Sequence, residues 1–182
     1  MSVTAYKYPG TAASVAGADQ DWANPDCAKA DDASDTESAI AAKNAKSDVL
    51  LVTNFGFAAG DIPAGSTIDG IEVVINKYAY VADAADYSVY CYLTASPTGS
   101  NLASANYWMT AMEAVTYGGA ANKWGWSPTQ ANMLDSSFGI GLIGLNGGSN
   151  AAGNLFVDYI KLRVYYTAAA GGVYIPQVII IQ

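Results

Sequence analysis

Alternating hydrophobic and polar residues mark several separate stretches of this chain, and this period of two predicts half-buried β-strands. In residues 68–78, the apolar side chains of one face are those of Ile71, Val73 and Ile75. In residues 155–167, the side chains predicted to face inward are those of Ile160, Leu162 and Val164. Mostly polar residues occupy the intervening positions, so each strand is predicted to have one face in a core and one in water.

Three further apolar runs, at residues 49–57, 87–93 and 138–145, predict additional strands. Glycine and proline separate the runs. Pro63 and Gly65, for example, stand in positions that suit a type II turn. Strands that follow one another through such turns are typical of antiparallel sheets.

One segment has the pattern of a short helix. Residues 127–134 begin with Ser127 as a cap, place Pro128 at the first helical position and continue with Ala, Met and Leu. Residues 102–112 are ambiguous, because Trp108 and its neighbours fit a helical face as well as a strand.

Repeated strands with at most one short helix predict an all-β fold, an antiparallel β-sandwich of jelly-roll-like type. A chain of 182 residues is long enough to bury such a core without a metal or a disulfide. Residues 1–47 alternate little and are predicted to be an N-terminal arm and the loop-rich start of the domain. Residues 48–167 are predicted to form the sandwich core, and residues 168–182 a hinge and an apolar C-terminal extension strand.

The C-terminal segment is apolar and rich in β-branched residues. The residues predicted to form an assembly interface are Val173, Tyr174, Ile175, Val178, Ile179, Ile180 and Ile181. A segment of this composition is prone to aggregate in water unless it pairs with a sheet edge. We therefore predict that it attaches the protein to a neighbouring copy or to another protein.

Charged residues are few and mostly acidic: the chain is 52% hydrophobic and 13% charged, with a formal net charge of −8. No nucleic-acid partner is predicted, because phosphate binding needs clustered basic residues and the 8 in this chain are scattered. No apolar run approaches the roughly 20 residues that span a bilayer, and the first residues lack the apolar core of a signal peptide. The sequence therefore predicts a soluble protein with no membrane contact and no export by the standard route.

The chain contains no histidine, which excludes histidine-based nucleophilic catalysis and histidine-containing zinc sites. Cys27 and Cys91 are too few for a thiolate cluster; a buried free thiol is favoured for Cys91, and a bridge between the two stays open. Paired carboxylates remain as candidate catalysts, although solvated acids are expected at most of their positions. The acids in question are Asp83, Asp86, Glu113, Asp135 and Asp158. We predict no enzyme activity and no cofactor.

Two groups of residues have alternative interpretations. The acidic residues Asp26, Asp31, Asp32, Asp35 and Glu37 offer the oxygen ligands that Ca²⁺ prefers, but their spacing favours a solvated acidic loop. The aromatic residues Tyr107, Trp108, Tyr117, Trp124 and Trp126 suit a sugar-stacking platform at the surface. The favoured alternative is that Trp124 and Trp126 fix a long loop onto the sandwich.

Several landmarks occur together, in order, between residues 22 and 167. They are Trp22, Asn24 and Pro25; Phe55-Gly56-Phe57; Pro63, Gly65 and Gly70; Tyr117-Gly118-Gly119; Trp124-Gly125; Phe138-Gly139; and Val157-Asp158-Tyr159-Ile160 leading to Tyr165-Tyr166-Thr167. Jointly they resemble a sandwich module that recurs in structural proteins of tailed phages, as a head decoration, fibre or tail-associated domain. The resemblance implies a framework position for Trp124.

The resemblance and the apolar C-terminal segment together indicate a structural virion protein of a tailed bacteriophage. The favoured role is a capsid decoration or cement protein that attaches and oligomerises through its termini. Its implied partners are the major capsid protein or another virion protein, and its implied location is the virion, assembled in the host cytoplasm. Two alternatives stay open: a tail or fibre component, and a β-sandwich module that binds carbohydrate or a host surface.

Overall fold

Two antiparallel sheets of five strands form a sandwich in the computed structural model of the chain, which describes residues 1–80, 83–148 and 152–170. Sheet A contains β1 (Ser2–Val3), β3 (Thr36–Ile40), β5 (Thr67–Ala79), β8 (Glu113–Gly118) and β10 (Gly153–Thr167). Sheet B contains β2 (Thr11–Val15), β4 (Val49–Thr53), β6 (Ala84–Leu93), β7 (Ser96–Thr98) and β9 (Gly139–Asn146).

The chain crosses repeatedly from one sheet to the other. Sheet A has the order β1-β10-β5-β8, with β3 also paired to β10, and sheet B has the order β2-β4-β9-β6-β7. The connections from β4 to β5, β5 to β6, β8 to β9 and β9 to β10 therefore all pass between sheets. This topology confirms the predicted antiparallel, jelly-roll-like sandwich.

The core lies between the two sheets and is built from the inward faces of the long strands. The alternation predicted for β5 and β10 is confirmed, because all six residues predicted to face inward are fully buried: Ile71, Val73, Ile75, Ile160, Leu162 and Val164. Cys91 is also fully buried as a small apolar side chain, and both cysteines are free thiols.

The first 47 residues take part in both sheets of the sandwich. They contribute β1 and β3 to sheet A and β2 to sheet B. A 3₁₀ turn, Pro25–Ala28, lies between β2 and β3. Trp22 is buried in the core, and its indole N–H donates to the carbonyl oxygen of Asp48 at 2.9 Å. These short strands are stable because their partners are distant strands, which local alternation does not reveal.

The α-helix α1 (Gln130–Leu134) is shorter than predicted. Its N-cap is Thr129, which forms a capping box with Asn132, so the chain around Ser127 and Pro128 precedes the helix. No helix among the described residues is long and apolar enough to cross a membrane. The predicted extension strand and its interface residues fall at 171–182, outside the described residues.

Candidate functional site

The outer face of sheet B carries three tyrosines along β6. We define the tyrosine face as the outward residues of β2, β4, β6 and β9: Thr11, Ala13, Val15, Val49, Leu51, Thr53, Tyr87, Tyr90, Tyr92, Gly139, Gly141 and Ile143. All of these residues are uncharged in a protein whose net charge is −8. Such a neutral, aromatic surface is suited to a neutral ligand or partner.

The orientation of this face follows from burial and register. The alternate residues of the same strands are buried in the core, among them Leu50, Val52, Ile140 and Leu142. Because side chains alternate along a strand, their neighbours point away from the core. The hydroxyl oxygens of Thr11 and Thr53 lie 2.6 Å apart across two outward positions, so the side chains form a continuous surface.

Two glycines of β9 leave the centre of the tyrosine face without protruding side chains. A Cβ atom at Gly141 would lie 2.3 Å from Cε2 of Tyr92, so the Tyr92 ring occupies the place that a side chain would take. At Gly139, a Cβ atom would lie 2.6 Å from Cγ2 of Thr53. The pKa of Tyr92 is raised by burial and further by the neighbouring Tyr90. The centre of the face is therefore a flat floor of ring and backbone.

The two ends of the tyrosine face differ in what they offer a ligand. At one end, Tyr87 is 46% exposed, and the ammonium group of Lys46 lies 3.7 Å from the centre of its ring. At the other end, the hydroxyl groups of Thr11 and Thr53 stand beside Tyr92. A ligand along the strands would meet aromatic surface and hydroxyl groups.

The outer face of sheet A is different, because charged side chains already occupy its centre. Glu72 accepts hydrogen bonds from the hydroxyl of Tyr165 at 2.9 Å, from Tyr6, and from the guanidinium of Arg163 at 2.8 Å. Burial would raise the pKa of Glu72, but these three partners lower it below its ordinary value. This face is an internally satisfied charge network.

A buried ion pair joins the two sheets at one side of the sandwich. The ammonium group of Lys77, on β5, contacts the carboxylate of Asp86, on β6, and donates to the hydroxyl of Tyr117 at 2.5 Å. Asp86 also accepts from Tyr117 at 2.7 Å, from the indole N–H of Trp108 at 2.8 Å and from the backbone N–H of Ser104 at 2.9 Å. Both carboxylate oxygens of Asp86 are thereby satisfied.

This burial shifts the titration of the partners of Asp86. The pKa of Lys77 is lowered by burial, against the opposing effect of the Asp86 charge. The pKa of Tyr117 is raised by burial first and then by the charge of Asp86. The network holds the two sheets together, because each polar group in it forms a hydrogen bond or an ion pair with another group of the protein.

The five aromatic residues proposed from sequence do not form a surface platform, because Tyr107 is exposed whereas Trp108 is buried like most of the others. Trp124 is 0% exposed and its indole N–H donates to the carbonyl of Ile71 at 3.0 Å, while Tyr117 lies in the Lys77 network. Trp126 is half-buried against the core. These side chains pack inward because Trp124 and Trp126 belong to a loop held against the sandwich. The tyrosines that are outward, Tyr87 and Tyr90, were not singled out from sequence.

Two of the five candidate acids, Asp86 and Glu113, lie around Lys77. Asp86 belongs to the ion pair, and Asp135 accepts the backbone N–H of Ser137 at 2.8 Å. Across residues 1–80, 83–148 and 152–170, no three acidic, cysteine or histidine side chains are grouped so as to hold a metal ion. The Ca²⁺ interpretation of the acidic segment therefore has no geometric support in this part of the chain.

Two carboxylates, Asp35 and Asp158, each have a buried oxygen without a hydrogen-bond partner among the described residues. Asp158 is only 4% exposed; its Oδ2 accepts from the amide of Asn76 at 3.2 Å, and its Oδ1 has no hydrogen-bond partner among the described residues. Its pKa is raised by burial and by the nearby charges of Asp31 and Asp35. The ionised form of Asp158 therefore destabilises the fold.

Replacing Asp158 with asparagine is expected to increase the free energy of unfolding at pH 7 by on the order of 1 kcal/mol. A carboxyl whose folded-state pKa is raised binds more protons in the folded state, so stability falls as the pH rises above the unfolded value of about 3.9. Asp158→Asn removes this fall, and urea unfolding between pH 4 and pH 7 measures it. The exposed variant Asp21→Asn is the control. A less stable Asp158→Asn protein would contradict the assignment.

Comparison with known proteins gives a similarity in structure only. No protein-family model matches the sequence, and no curated protein matches it. One similar solved structure is described as "CBM4 structure and function"; it is 15% identical, with a TM-score of 0.44, over 87% of this chain and 94% of that chain. Another is the N-terminal cellulose-binding domain of β-1,4-glucanase C from Cellulomonas fimi, at 13% identity and a TM-score of 0.38, over 92% and 90%.

Proposed function

We propose that this chain is a non-catalytic carbohydrate-binding module that holds a neutral polysaccharide on the tyrosine face. The observation that carries this proposal is the combination of outward tyrosines, threonine hydroxyl groups and absence of charge on that single face. It rests on this surface alone.

A sugar ring has apolar C–H faces and polar hydroxyl groups, and the tyrosine face offers aromatic rings to the first and hydroxyl groups to the second. The C–H faces of a pyranose are apolar and gain free energy by covering an aromatic ring. Its hydroxyl groups need donors and acceptors, which Thr11, Thr53 and the tyrosine hydroxyls supply. Charged side chains would carry a desolvation cost under a neutral ligand, and the charge beside the tyrosine face that the structure shows, the Lys46 ammonium group, lies at its end against Tyr87.

The tyrosine face also lacks the groups that cleave a glycosidic bond. Glycoside hydrolysis commonly requires two carboxyl groups about 5–10 Å apart on either side of the bond. All the outward positions of the tyrosine face are uncharged. Binding without turnover is the activity that this chemistry supports.

Replacing Tyr90 with alanine is expected to weaken binding to a neutral polysaccharide by about tenfold, because an aromatic contact is worth on the order of 1 kcal/mol or more. Affinity gel electrophoresis against dextran, hydroxyethylcellulose and galactomannan measures the effect. Tyr87→Ala is expected to act in the same direction.

Tyr80→Ala is the matched control, since Tyr80 is 67% exposed and its ring lies against Phe156 of sheet A, away from the tyrosine face. It is expected to leave retention unchanged. Equal losses in the Tyr80 and Tyr90 variants, or retention unaffected by either tyrosine-face variant, would contradict the proposal.

A structural role in a phage particle is the second candidate, and it is compatible with glycan binding. It is favoured by the apolar sequence of residues 171–182 and by the composition of β2, an edge strand of sheet B. That strand reads Thr-Ala-Ala-Ser-Val, without the charge or proline that protects many edges. By contrast β7, the opposite edge of sheet B, contains Pro97. The edge of β2 can therefore pair with an apolar strand from another copy of the protein.

A further inference from the structure

A small recess opens beside the buried ion pair, at the edge of sheet A. Its wall is formed by residues 104–109 together with β5 and β8, and its lining includes Lys77, Asn106, Tyr107, Trp108, Met109 and Glu113. Its volume is about 70 Å³, well below the roughly 300 Å³ of a cavity that encloses a whole small molecule. The recess therefore has room for one chemical group of a larger ligand.

The recess is held in shape by hydrogen bonds to both sheets. The backbone N–H of Trp108 donates to the carbonyl of Ala84 at 2.7 Å, and the carbonyl of Met109 accepts from the N–H of Ala79 at 2.9 Å. The indole N–H of Trp108 is fixed on Asp86. A ligand would meet a preformed site, which limits the ordering cost of binding.

Aromatic and thioether groups make up the outer wall. Tyr107 is 61% exposed and Met109 is 56% exposed, although both are large apolar side chains. Aromatic faces attract cations through the ring quadrupole. One such cation–π contact lies inside the protein, where the ammonium group of Lys77 is 4.4 Å from the centre of the Trp108 ring.

The charges around the recess sum to a negative value. Lys77 is neutralised by Asp86 through the buried ion pair. Glu113 is directly opposite Lys77 in the register of β5 and β8, and within the described part of the chain it has no salt-bridge partner of its own. One negative charge therefore remains at the mouth of the recess.

The geometry points to a binding site for an organic ammonium group, with Tyr107 and Trp108 as the aromatic wall and Glu113 as the counter-charge. The ligand class is a primary or quaternary alkylammonium, carried by an amino sugar or by a choline-like head group. An anion is disfavoured, because the Lys77 ammonium group is engaged by Asp86 and Tyr117 while Glu113 repels negative charge. This site is separate from the tyrosine face and does not depend on the function proposed for that face.

The test is a titration of the full chain with glucosamine, choline and glucose, followed by the NMR signal of the Trp108 indole N–H. Glucosamine or choline is expected to shift this signal in a saturable manner, and glucose is not; the stronger of the two identifies the source of the ammonium group. Glu113→Gln is expected to weaken ammonium binding about three- to tenfold, and Tyr107→Ala to a similar extent.

Two controls separate this site from the rest of the molecule. Asp21→Asn removes an exposed acid elsewhere and is expected to leave the titration unchanged. Tyr90→Ala is expected to weaken polysaccharide binding but not ammonium binding, so the two proposals fail independently. Absence of a saturable shift, an equal response to glucose, or unchanged affinity in Glu113→Gln would overturn the ammonium site.

Discussion

Deletion after Ala170 is expected to leave a folded monomer that no longer self-associates. The removed residues, Gly171–Gln182, contain Val173, Ile175, Val178 and three consecutive isoleucines. Burying five or six such side chains contributes on the order of 10 kcal/mol before the cost of ordering the segment is subtracted. That is enough to hold a subunit in an assembly.

All the strands that the structure describes end at or before Thr167. β10 ends at Thr167, and its inward residues are already buried between the two sheets. Ala168 and the two residues that follow it are exposed. We therefore expect the sandwich to fold when the segment is deleted.

Light scattering coupled to gel filtration measures the expected change in mass, and a thermal melt checks the fold. Ile179→Lys in the full-length chain is the matched variant, because it keeps the length and adds one charge to the apolar run. It is expected to weaken assembly as well. A truncated protein that unfolds would place the segment in its own core, and one that assembles normally would refute the assembly role.

The long strands could be predicted because each has a clear alternation of apolar and polar residues within its own sequence. β5 and β10 alternate over more than ten residues, and the period of two identifies both the strand and its inward face. The short strands β2 and β3 have five residues each and pair with strands distant in sequence. Their stability comes from those partners, so local pattern underestimates them.

In helix α1 and strand β8, hydrogen bonds to partner residues decide the structure more than the local sequence preference does. Ser127 followed by Pro128 is a good helix start, yet Thr129 caps α1 because Asn132 completes a reciprocal pair of hydrogen bonds. β8 has an exposed first half, and its pairing with β5 is what makes it a strand. Neither outcome depends on propensity alone.

The sequence contains a pattern that predicts the tyrosine face, although the tryptophans are the more obvious candidates for a binding surface. In residues 87–93 the buried Val89 and Cys91 alternate with Tyr90 and Tyr92, which predicts tyrosines on the outer face. Glycines alternate with Ile140 and Leu142 in the same way on β9. What sequence lacks is the pairing of β6 with β9, which brings Tyr92 over Gly141 and makes the surface flat.

Replacing Asp86 with alanine is expected to destabilise the protein by about 3–5 kcal/mol. The change leaves the Lys77 ammonium group buried without a counter-charge, and it removes the acceptor of Tyr117, Trp108 and the Ser104 backbone. The loop over residues 101–109 then loses two of its hydrogen bonds to β6, those donated by Ser104 and by the Trp108 indole. Urea unfolding followed by tryptophan fluorescence measures the loss.

The double variant Lys77→Met with Asp86→Asn separates the charge from the hydrogen bonds. It removes the isolated buried cation and keeps a side-chain oxygen as acceptor, so it is expected to be more stable than Asp86→Ala alone. Asp21→Ala, at an exposed position, is expected to change stability by no more than about 0.5 kcal/mol. A loss below about 1 kcal/mol in Asp86→Ala would show that Lys77 reaches solvent when its partner is removed, and that the ion pair contributes little to the stability of the contact between the two sheets.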